Sequence, residues 1–292
     1  MSSVSESNLT NLFTVEEVEK YLLPLRNENR KIGFVPTMGA LHDGHMSLVK
    51  AAKEQCDVVV VSVFVNPTQF NNPQDLKTYP RQEGKDIELL EENECDFIFL
   101  PTVDVIYPPN YQNVEVDLGF IGTTMEGAKR PGHFDGVVNV VSRLFKIIQP
   151  DIAYFGRKDF QQVAVIREMN KQLNFPIVIQ AVDTKREETG LAMSSRNLRL
   201  NEQERQRAVI ISETLLKGKE LAKEFSPSET LEKMKAYFSK GSLELEYLTI
   251  VHPDSLVELD QEWVPGATAC IVAFCGDVRL IDNMELIDSE PI

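Results

Sequence analysis

The sequence has few cysteines and lacks any apolar run long enough to cross a membrane. Its four cysteines form no C-x-x-C pair, so we expect free thiols in a reducing compartment rather than disulfides. The N-terminal residues are polar and lack the apolar stretch of a signal peptide. A membrane-spanning helix needs roughly 20 consecutive apolar residues, and no segment approaches that length. These absences predict a cytoplasmic protein without a membrane span.

Positive charge is also scarce. The chain has 30 Lys and Arg residues against 45 Asp and Glu residues, for a formal net charge of −15. A surface of that sign repels nucleic acids and anionic membranes, so neither is expected as the main partner. A small anionic substrate is still compatible, because a local basic pocket can lie inside an acidic protein. The length of 292 residues allows one large domain or two smaller ones.

Short apolar runs alternate with amphipathic stretches over the first two thirds of the chain. The apolar runs predict strands at Ile32–Val35, Asp57–Val65, Asp96–Leu100, Asp151–Phe155 and Ile177–Val182, with a further candidate at Val114–Val116. The stretches between them predict helices over Thr14–Arg26, Asp43–Gln55, Gln82–Asn93, Val137–Ile148 and Asp159–Leu173. Strands that alternate with helices predict an α/β fold, a Rossmann-like parallel sheet with helices on both faces.

The pattern changes after Asp183. Asn201 and Glu204 form a capping pattern for a long helix toward Phe225, and Ser228 is predicted to begin another that ends near Gly241. Strand-like runs follow at Leu243–Val251, Ala267–Cys275 and Val278–Ile281. Helices followed by consecutive strands predict a smaller α+β domain. We therefore expect two domains, over residues 1–183 and 184–292.

The stretch Ile32–His45 combines a predicted strand, a turn and a helix start. The turn holds Pro36 and Gly39, and His42 and His45 then stand three residues apart with Gly44 between them. A helix N-terminus attracts phosphate through its unpaired N–H groups and partial positive charge. Both histidines could therefore face a bound phosphate. A strand–turn–helix with two solvated histidines fits this motif equally well when it is taken alone.

Five motifs follow one another between residues 36 and 197: PTMGALHDGH, VSVFVNPTQF, RPGHFDGV, FGRKDFQQ and GLAMSSRN. In this order they resemble the pantoate–β-alanine ligase family, which belongs to the nucleotidyltransferase superfamily with H-x-G-H signatures. The last hundred residues carry much less of the resemblance. The family implies that ATP and pantoate first give pantoyl adenylate and pyrophosphate, and that β-alanine then displaces AMP. It also implies magnesium with the ATP and a homodimer.

The resemblance assigns residue roles. It implies an ATP- and pantoate-binding domain over residues 1–183 and a lid domain over 184–292. The implied catalytic residues are His42, His45, Lys158, Ser194, Ser195 and Arg196. The implied ATP-binding residues are Pro36, Thr37, Met38, His42, His45, Gly156, Lys158, Asp159, Lys185, Met193, Ser194, Ser195 and Arg196. The implied substrate-binding residues are Gln69, Gln162, Met38, Arg130 and His133. Asp86 is the implied metal ligand.

Plainer interpretations accompany several of these residues. Asp159 could be a helix cap, and residues 193–197 could be a turn between domains, since Ser and Asn favour turns. Arg130 and His133 could simply order their loop. Lys85 stands where relatives can have a second acid, and Lys185 replaces an apolar residue expected near adenine.

Two other functions also compete with the ligase. The first is a nucleotidyltransferase of the same fold acting on a phosphorylated cofactor precursor, and the second is a non-catalytic nucleotide-binding module. A tRNA synthetase is disfavoured by the acidic charge and by the lack of a further RNA-binding domain.

Overall fold

The computed structural model describes residues 9–289. Six parallel strands form one sheet in the order β1-β4-β3-β2-β5-β6, and three antiparallel strands form a second in the order β7-β8-β9. The strands of the first sheet are β1 (Thr10–Leu12), β2 (Ile32–Thr37), β3 (Val58–Val63), β4 (Phe97–Phe99), β5 (Ile152–Gly156) and β6 (Val178–Val182). Those of the second are β7 (Glu244–Val251), β8 (Thr268–Cys275) and β9 (Val278–Glu285).

Helices connect the strands. They are α1 (Val15–Asn27), α2 (Asp43–Gln55), α3 (Pro73–Thr78), α4 (Glu83–Glu92), α5 (Val103–Ile106), α6 (Met125–Lys129), α7 (His133–Ile148), α8 (Phe160–Gln172), α9 (Glu202–Ala208), α10 (Ile210–Leu221) and α11 (Pro227–Phe238). Short 3₁₀ turns lie at Pro67–Gln69, Gly119–Gly122, Arg157–Asp159 and Ser195–Arg199.

Strand β2 shows why both faces of the parallel sheet carry helices. Successive side chains of a strand point to opposite faces. Phe34 lies edge-on to Phe145 of α7, with ring centroids 6.4 Å apart, whereas its neighbour Val35 packs in a buried cluster with Met46 and Val49 of α2. Both strand residues are fully buried. The predicted Rossmann-like α/β fold is confirmed.

The chain divides into two compact units. The first contains the residues up to 118 together with 130–157 and 165–183. The second contains 119–129, 158–164 and the residues from 184 onward. The main division falls after Asp183, but the sequence analysis did not anticipate the two short segments that join the second unit. The ranges 1–183 and 184–292 stay a prediction.

The second unit has its own core between its antiparallel sheet and two helices. Leu215 of α10, Met234 of α11, Ile250 of β7 and Ile271 of β8 are all fully buried in one cluster. Helix α11 begins with Ser226 as N-cap and Pro227 at the first helical position, and the Glu229 carboxylate completes a capping box. The predicted α+β architecture of this region is confirmed.

Three details of the sequence-based assignment were wrong. Val114–Val116 is not a strand, because the Val114 N–H donates to the side chain of Asn139 rather than to another strand. The predicted long helix is split into α9 and α10 around Val209. There the Ser212 hydroxyl donates to the Val209 carbonyl, a contact that tends to bend helices. Helix α11 begins at Pro227 and not at Ser228.

Four short elements were missed. Strand β1 spans three residues, α5 four and α6 five, and α3 begins at the second proline of its loop, so none shows a periodic pattern. All four cysteines are free; Cys95, Cys270 and Cys275 are buried, and Cys56 is half-buried. Within residues 9–289, no helix combines the length and apolar character that crossing a membrane requires.

Candidate active site

Strands β2 and β5 lie side by side at the centre of the parallel sheet, and the strand order reverses there. From β2 the chain continues to β3 on one side, whereas β5 continues to β6 on the other. In open parallel sheets, ligands bind beyond the carboxyl ends of strands at such a switch point. Pro36 and Thr37 end β2, and Gly156 ends β5. The sheet therefore brings these three predicted ATP-binding residues to one edge.

The turn after β2 is held by hydrogen bonds from both sides. The Thr37 hydroxyl donates to the Ser62 carbonyl over 2.7 Å and accepts the Gly39 N–H over 3.2 Å. Gly39 has φ +79°, and a Cβ there would lie 2.9 Å from the side chain of Val63. Only glycine fits this conformation and this space without strain. The Thr37 side chain thus shapes the turn, which leaves backbone groups as the natural contacts to a ligand.

Asp86 supports the same turn. Its carboxylate is buried and accepts the Ala40 N–H at 3.0 Å through Oδ2 and the Leu41 N–H at 2.7 Å through Oδ1. Burial raises the pKa of Asp86, while these two N–H donors oppose the rise. Both oxygens therefore have a structural role that the sequence analysis did not foresee. Metal ligation by Asp86 stays a prediction, and no cluster of three or more metal-binding side chains occurs among the described residues.

His42 and His45 cap the N-terminus of α2 reciprocally. His42 Nδ1 accepts the Gly44 N–H over 3.1 Å, and His45 Nδ1 accepts the His42 N–H over 3.3 Å. The ring centroids are 4.1 Å apart. Because each Nδ1 is an acceptor, the proton of each neutral ring resides on Nε2. The capping contacts thus make both Nε2 atoms hydrogen-bond donors near a helix N-terminus, where the backbone also favours an anion such as phosphate.

Gln69 is the centre of a second group of predicted residues. Its side chain is buried, its Nε2 donates to the sulfur of Met38 at 3.2 Å, and its Oε1 accepts from Asn66 at 3.1 Å. Asn66 is almost fully buried, and its amide also donates to the Gly136 carbonyl. Sequence analysis missed Asn66, although Asn before Pro67 is a typical cap-and-proline start of a helical turn. Asn66 sets the orientation of the Gln69 amide.

Arg130 and His133 hold the main chain of the same residue. His133 Nδ1 lies 2.8 Å from the Gln69 carbonyl, and Arg130 Nη1 lies 3.1 Å from His133 Nε2. A carbonyl only accepts and a guanidinium only donates, so His133 donates from Nδ1 and accepts at Nε2. His133 is therefore a neutral ring in this structure. The structure brings Met38, Gln69, Arg130 and His133 together, and their roles toward a substrate stay predictions.

The remaining predicted residues belong to the second unit. The Lys158 ammonium is largely buried, with a side-chain exposure of 16%, and lies 3.5 Å from Asp159 Oδ1. Gln162 is half-buried in the first turn of α8, next to the buried Gln161. The Gln161 amide donates to the Ile121 and Thr124 carbonyls and accepts the Glu126 N–H. Gln161 therefore secures the start of α8, which holds Gln162 and directly follows Lys158 and Asp159.

Residues 185–197 form a β-hairpin followed by a 3₁₀ turn. Arg186 pairs with Ala192 across the hairpin, and the Met193 N–H donates to the carbonyl of the exposed Lys185. Ser194 caps the turn by accepting the Arg196 N–H, and Ser195 is buried. The hairpin thus places Lys185 beside Met193 and delivers the predicted residues Ser194–Arg196 in a compact turn. The roles of all these residues toward ATP stay predictions.

Known proteins resemble this chain over nearly its whole length. The sequence model of the family described as pantoate-beta-alanine ligase matches residues 11–285. A pantothenate synthetase of Bacteroides thetaiotaomicron is 47% identical over 280 residues, which cover 94% of this chain and 98% of the relative. One of Phocaeicola vulgatus is 49% identical over 276 residues, covering 93% and 97%.

Solved structures agree with these relatives. The pantothenate synthetase of Thermus thermophilus superposes with a TM-score of 0.90 at 41% identity, covering 95% of this chain and 99% of the other. The pantoate-beta-alanine ligase of Francisella tularensis, complexed with beta-gamma ATP and beta-alanine, gives a TM-score of 0.76 at 35% identity, covering 95% and 98%. The chain therefore belongs to the pantoate-β-alanine ligase family, whose enzymes condense pantoate with β-alanine at the expense of ATP.

Proposed function

We propose that this chain makes pantothenate in two steps through a pantoyl adenylate. In the first step a pantoate carboxylate oxygen attacks the α-phosphorus of ATP, and the bond to the β-phosphate breaks to release pyrophosphate. In the second step the amine of β-alanine attacks the acyl carbon, loses a proton, and displaces AMP. The observation that carries this proposal is the reciprocal cap of His42 and His45, which fixes two Nε2–H donors at the N-terminus of α2.

The first step builds negative charge on the α-phosphate and on the departing pyrophosphate. Donors that are fixed before the reaction stabilise such charge without reorganising, and they are commonly the largest catalytic contribution. We assign this role to the two histidines. Lys158 and Arg196 add fixed positive charge, and the hydroxyls of Ser194 and Ser195 add hydrogen bonds to the outer phosphates. Positioning and electrostatics of this kind carry most phosphoryl-transfer catalysis.

Pantoate recognition is assigned to the amides of Gln69 and Gln162, with Met38 beside Gln69. An amide both donates and accepts, which suits a substrate that carries a carboxylate and two hydroxyls. The contacts of Arg130 and His133 with the Gln69 main chain give these two residues a supporting role. The remaining ATP contacts are assigned to Pro36, Thr37, Gly156, Asp159, Lys185 and Met193.

Magnesium is proposed to arrive with ATP rather than on a protein site. Mg²⁺ usually keeps several waters and binds through one or two carboxylates together with substrate phosphates. Asp86 fits the role of ligand poorly, since both of its oxygens already accept backbone N–H groups. We therefore assign no catalytic step to a metal held by Asp86.

We extend the proposal to ATP and β-alanine as substrates, to a homodimer and to a cytoplasmic location. The Francisella relative bound with beta-gamma ATP and beta-alanine supports the substrates. The four free thiols support a reducing compartment. The dimer rests on the family resemblance, and light scattering coupled to size-exclusion chromatography tests it directly.

Isotope exchange tests the central proposal. The enzyme should exchange labelled pyrophosphate into ATP when pantoate and magnesium are present and β-alanine is absent. Omitting pantoate should abolish the exchange, which separates it from contaminating ATP hydrolysis. Product formation without exchange would contradict a reversible adenylate step. Exchange with an unrelated acid but not with pantoate would overturn the substrate, and ATP binding without any turnover would indicate a non-catalytic module.

A further inference from the structure

Two adjacent residues of β9 are buried and polar although they lie outside every motif of the sequence. Asp282 is 3% exposed and Asn283 is 5% exposed. A carboxylate or an amide pays a large desolvation cost at such a position unless it is hydrogen-bonded. Both side chains meet this requirement through contacts with segments far away in sequence. Their partners are the two segments of the second unit that carry the predicted phosphate-binding residues.

Asp282 binds the hairpin of residues 185–193 at its base. The Arg186 guanidinium donates to Asp282 Oδ2 at 2.6 Å and to Oδ1 at 3.1 Å, a bidentate pair. The same guanidinium donates to the Gly190 carbonyl at the hairpin turn and to the main-chain carbonyl of Asn283. Gly190 has φ +90°, which the tight turn requires. Arg186 therefore ties both ends of the hairpin to β9.

A second contact secures the end of the hairpin. Asn197 donates to the Glu187 carboxylate and to the Ala192 carbonyl, while Arg205 of α9 donates to Glu187 and to the Asn197 carbonyl. Hydrogen bonds therefore join the two ends of the segment 187–197 to each other, and Arg205 joins the segment to α9. The turn Ser194–Arg196 lies between these two anchors. The Arg186–Asp282 pair therefore contributes to its placement relative to β9.

Asn283 also holds the main chain of Lys158. The Asn283 amide donates to the Lys158 carbonyl at 2.8 Å, which fixes the main chain from which the ammonium extends. The Lys158 charge also acts on the Asp282 carboxylate. Burial raises the pKa of Asp282, whereas the hydrogen bonds and charge of Arg186 and the charge of Lys158 oppose that rise. One dipeptide of β9 therefore contacts both segments that carry the cations.

We propose that Asp282 and Asn283 are positioning residues for adenylate formation, because together they set the placement of the Lys158 main chain and of the hairpin that presents Ser194–Arg196. This inference rests on the proposed phosphate role of Lys158 and Ser194–Arg196. Positioning is worth a great deal in this kind of catalysis, since a misplacement of about 1 Å can cost on the order of a hundredfold in rate. Neither Asp282 nor Asn283 needs to touch a substrate for this effect.

The test separates the two half-reactions. Asp282→Asn keeps the side-chain shape but removes the charge that pairs with Arg186. We expect its pyrophosphate exchange at saturating ATP and pantoate to fall by about ten- to a hundredfold, the scale of a small misplacement. Conversion of supplied pantoyl adenylate by β-alanine should stay close to the wild-type rate. A merely structural role would lower both half-reactions in proportion to the loss of folded protein.

Three further variants keep the test decisive. Asn283→Ala removes the donor to Lys158 but keeps the carbonyl that Arg186 uses, so it should lower exchange even if Asp282→Asn does not fold. Arg186→Gln combined with Asp282→Asn should lower exchange by less than the product of the two single effects, because the two residues share one bidentate pair. Thr249→Val is the matched control. It removes a part-buried hydrogen bond to Glu258, a contact that includes neither anchored segment, and should leave exchange unchanged.

The outcomes are distinguishable. Absence of exchange by the wild-type protein would contradict the proposed adenylate step. Normal exchange by Lys158→Ala would contradict the proposed phosphate role of Lys158. If wild-type exchange is normal and depends on Lys158, but Asn283→Ala and a folded Asp282→Asn retain it, the positioning role is overturned. Equal losses in both half-reactions, matched by Thr249→Val at a similar melting temperature, would also overturn it.

Discussion

The Nδ1 atom of His45 accepts the main-chain N–H of His42 over 3.3 Å, so a residue of the first helical turn closes the cap from which the helix starts. Each histidine consequently turns its Nε2 away from its capping contact. Taken alone, the motif predicts only a strand, a turn and a helix. The two capping contacts in addition place the proton of each neutral imidazole on Nε2. The first prediction follows from this relationship.

His45→Ala should lower pyrophosphate exchange by roughly a hundred- to a thousandfold, the scale for losing one fixed donor to developing charge. It also removes half of the capping box, which costs about 0.5–2 kcal/mol of stability and leaves the fold intact. Exchange kinetics and thermal unfolding measure the two effects separately. Ser47→Ala on the same helix, which loses only a contact to the Gly44 carbonyl, is the control. Near-normal turnover of His45→Ala would remove this residue from the mechanism.

Gln69→Ala should separate pantoate binding from ATP binding. The substitution removes the amide that faces Met38 and Asn66 but leaves the main-chain carbonyl that His133 and Arg130 hold. We expect pantoate use to fall heavily and ATP affinity to change little, as measured by exchange kinetics and by equilibrium nucleotide binding. Equal losses for both ligands would show that residues 66–73 are structural and that the ligand role is wrong.

Gly136→Ala should also weaken pantoate binding, although Gly136 lies outside the motif VSVFVNPTQF. A Cβ at this position of α7 would lie 2.7 Å from the main chain of Thr68 and 2.8 Å from the Cα of Gln69, which is too close for the loop to stay in place. We expect a higher KM for pantoate with little change for ATP. Gly84→Ala is the control, because its Cβ would meet nothing within 4 Å. An unchanged pantoate KM would show that the position of this loop does not govern binding.

Asp86→Asn distinguishes loop support from metal binding. An amide nitrogen cannot accept the N–H of Ala40 or Leu41, so one of two buried donors loses its partner at a cost of about 1–3 kcal/mol. If support is the role, unfolding measurements should show this loss, and the magnesium concentration for half-maximal activity should not change. Glu83→Gln, on the exposed side of the same helical turn, controls for the loss of charge. A large rise in the magnesium requirement would instead restore Asp86 as a ligand.

The parts of the fold predicted from sequence are those with local signals. The β-branched run before Val63 and the alternation around α2 indicated buried strands and an amphipathic helix, and they needed no distant partner to be recognised. Segment 119–129 had no such signal. It belongs to the second unit because Glu126 binds Arg279 and accepts from Tyr247, contacts that join residues more than 100 positions apart. Composition and periodicity do not encode contacts of this range.

The residues of the candidate site likewise separate into those with a local sequence signal and those without one. His42, His45 and Gln69 lie in motifs, so the resemblance identified them. Asn66 lies in the motif VSVFVNPTQF and carries the Asn-Pro signal of a helical turn, but its contact with the Gln69 amide does not follow from that signal. Asp282 and Asn283 lie outside every motif, and their residue types are common at strand surfaces, so no local pattern distinguishes them. For Asp86 the resemblance implied metal binding, which stays a prediction, whereas its two hydrogen bonds to backbone N–H groups had no signal in the sequence.

Lys158→Ala tests the division of labour between the two steps. The largely buried ammonium is assigned to the phosphates, so its loss should suppress pyrophosphate exchange. When preformed pantoyl adenylate is supplied, the variant should still form pantothenate from β-alanine at a rate closer to normal, because pyrophosphate has already left. Lys171→Ala, an exposed lysine on α8, controls for the change in net charge. If Lys158→Ala impairs both half-reactions equally, the ammonium also acts on AMP departure, and its assignment to the first step alone is wrong.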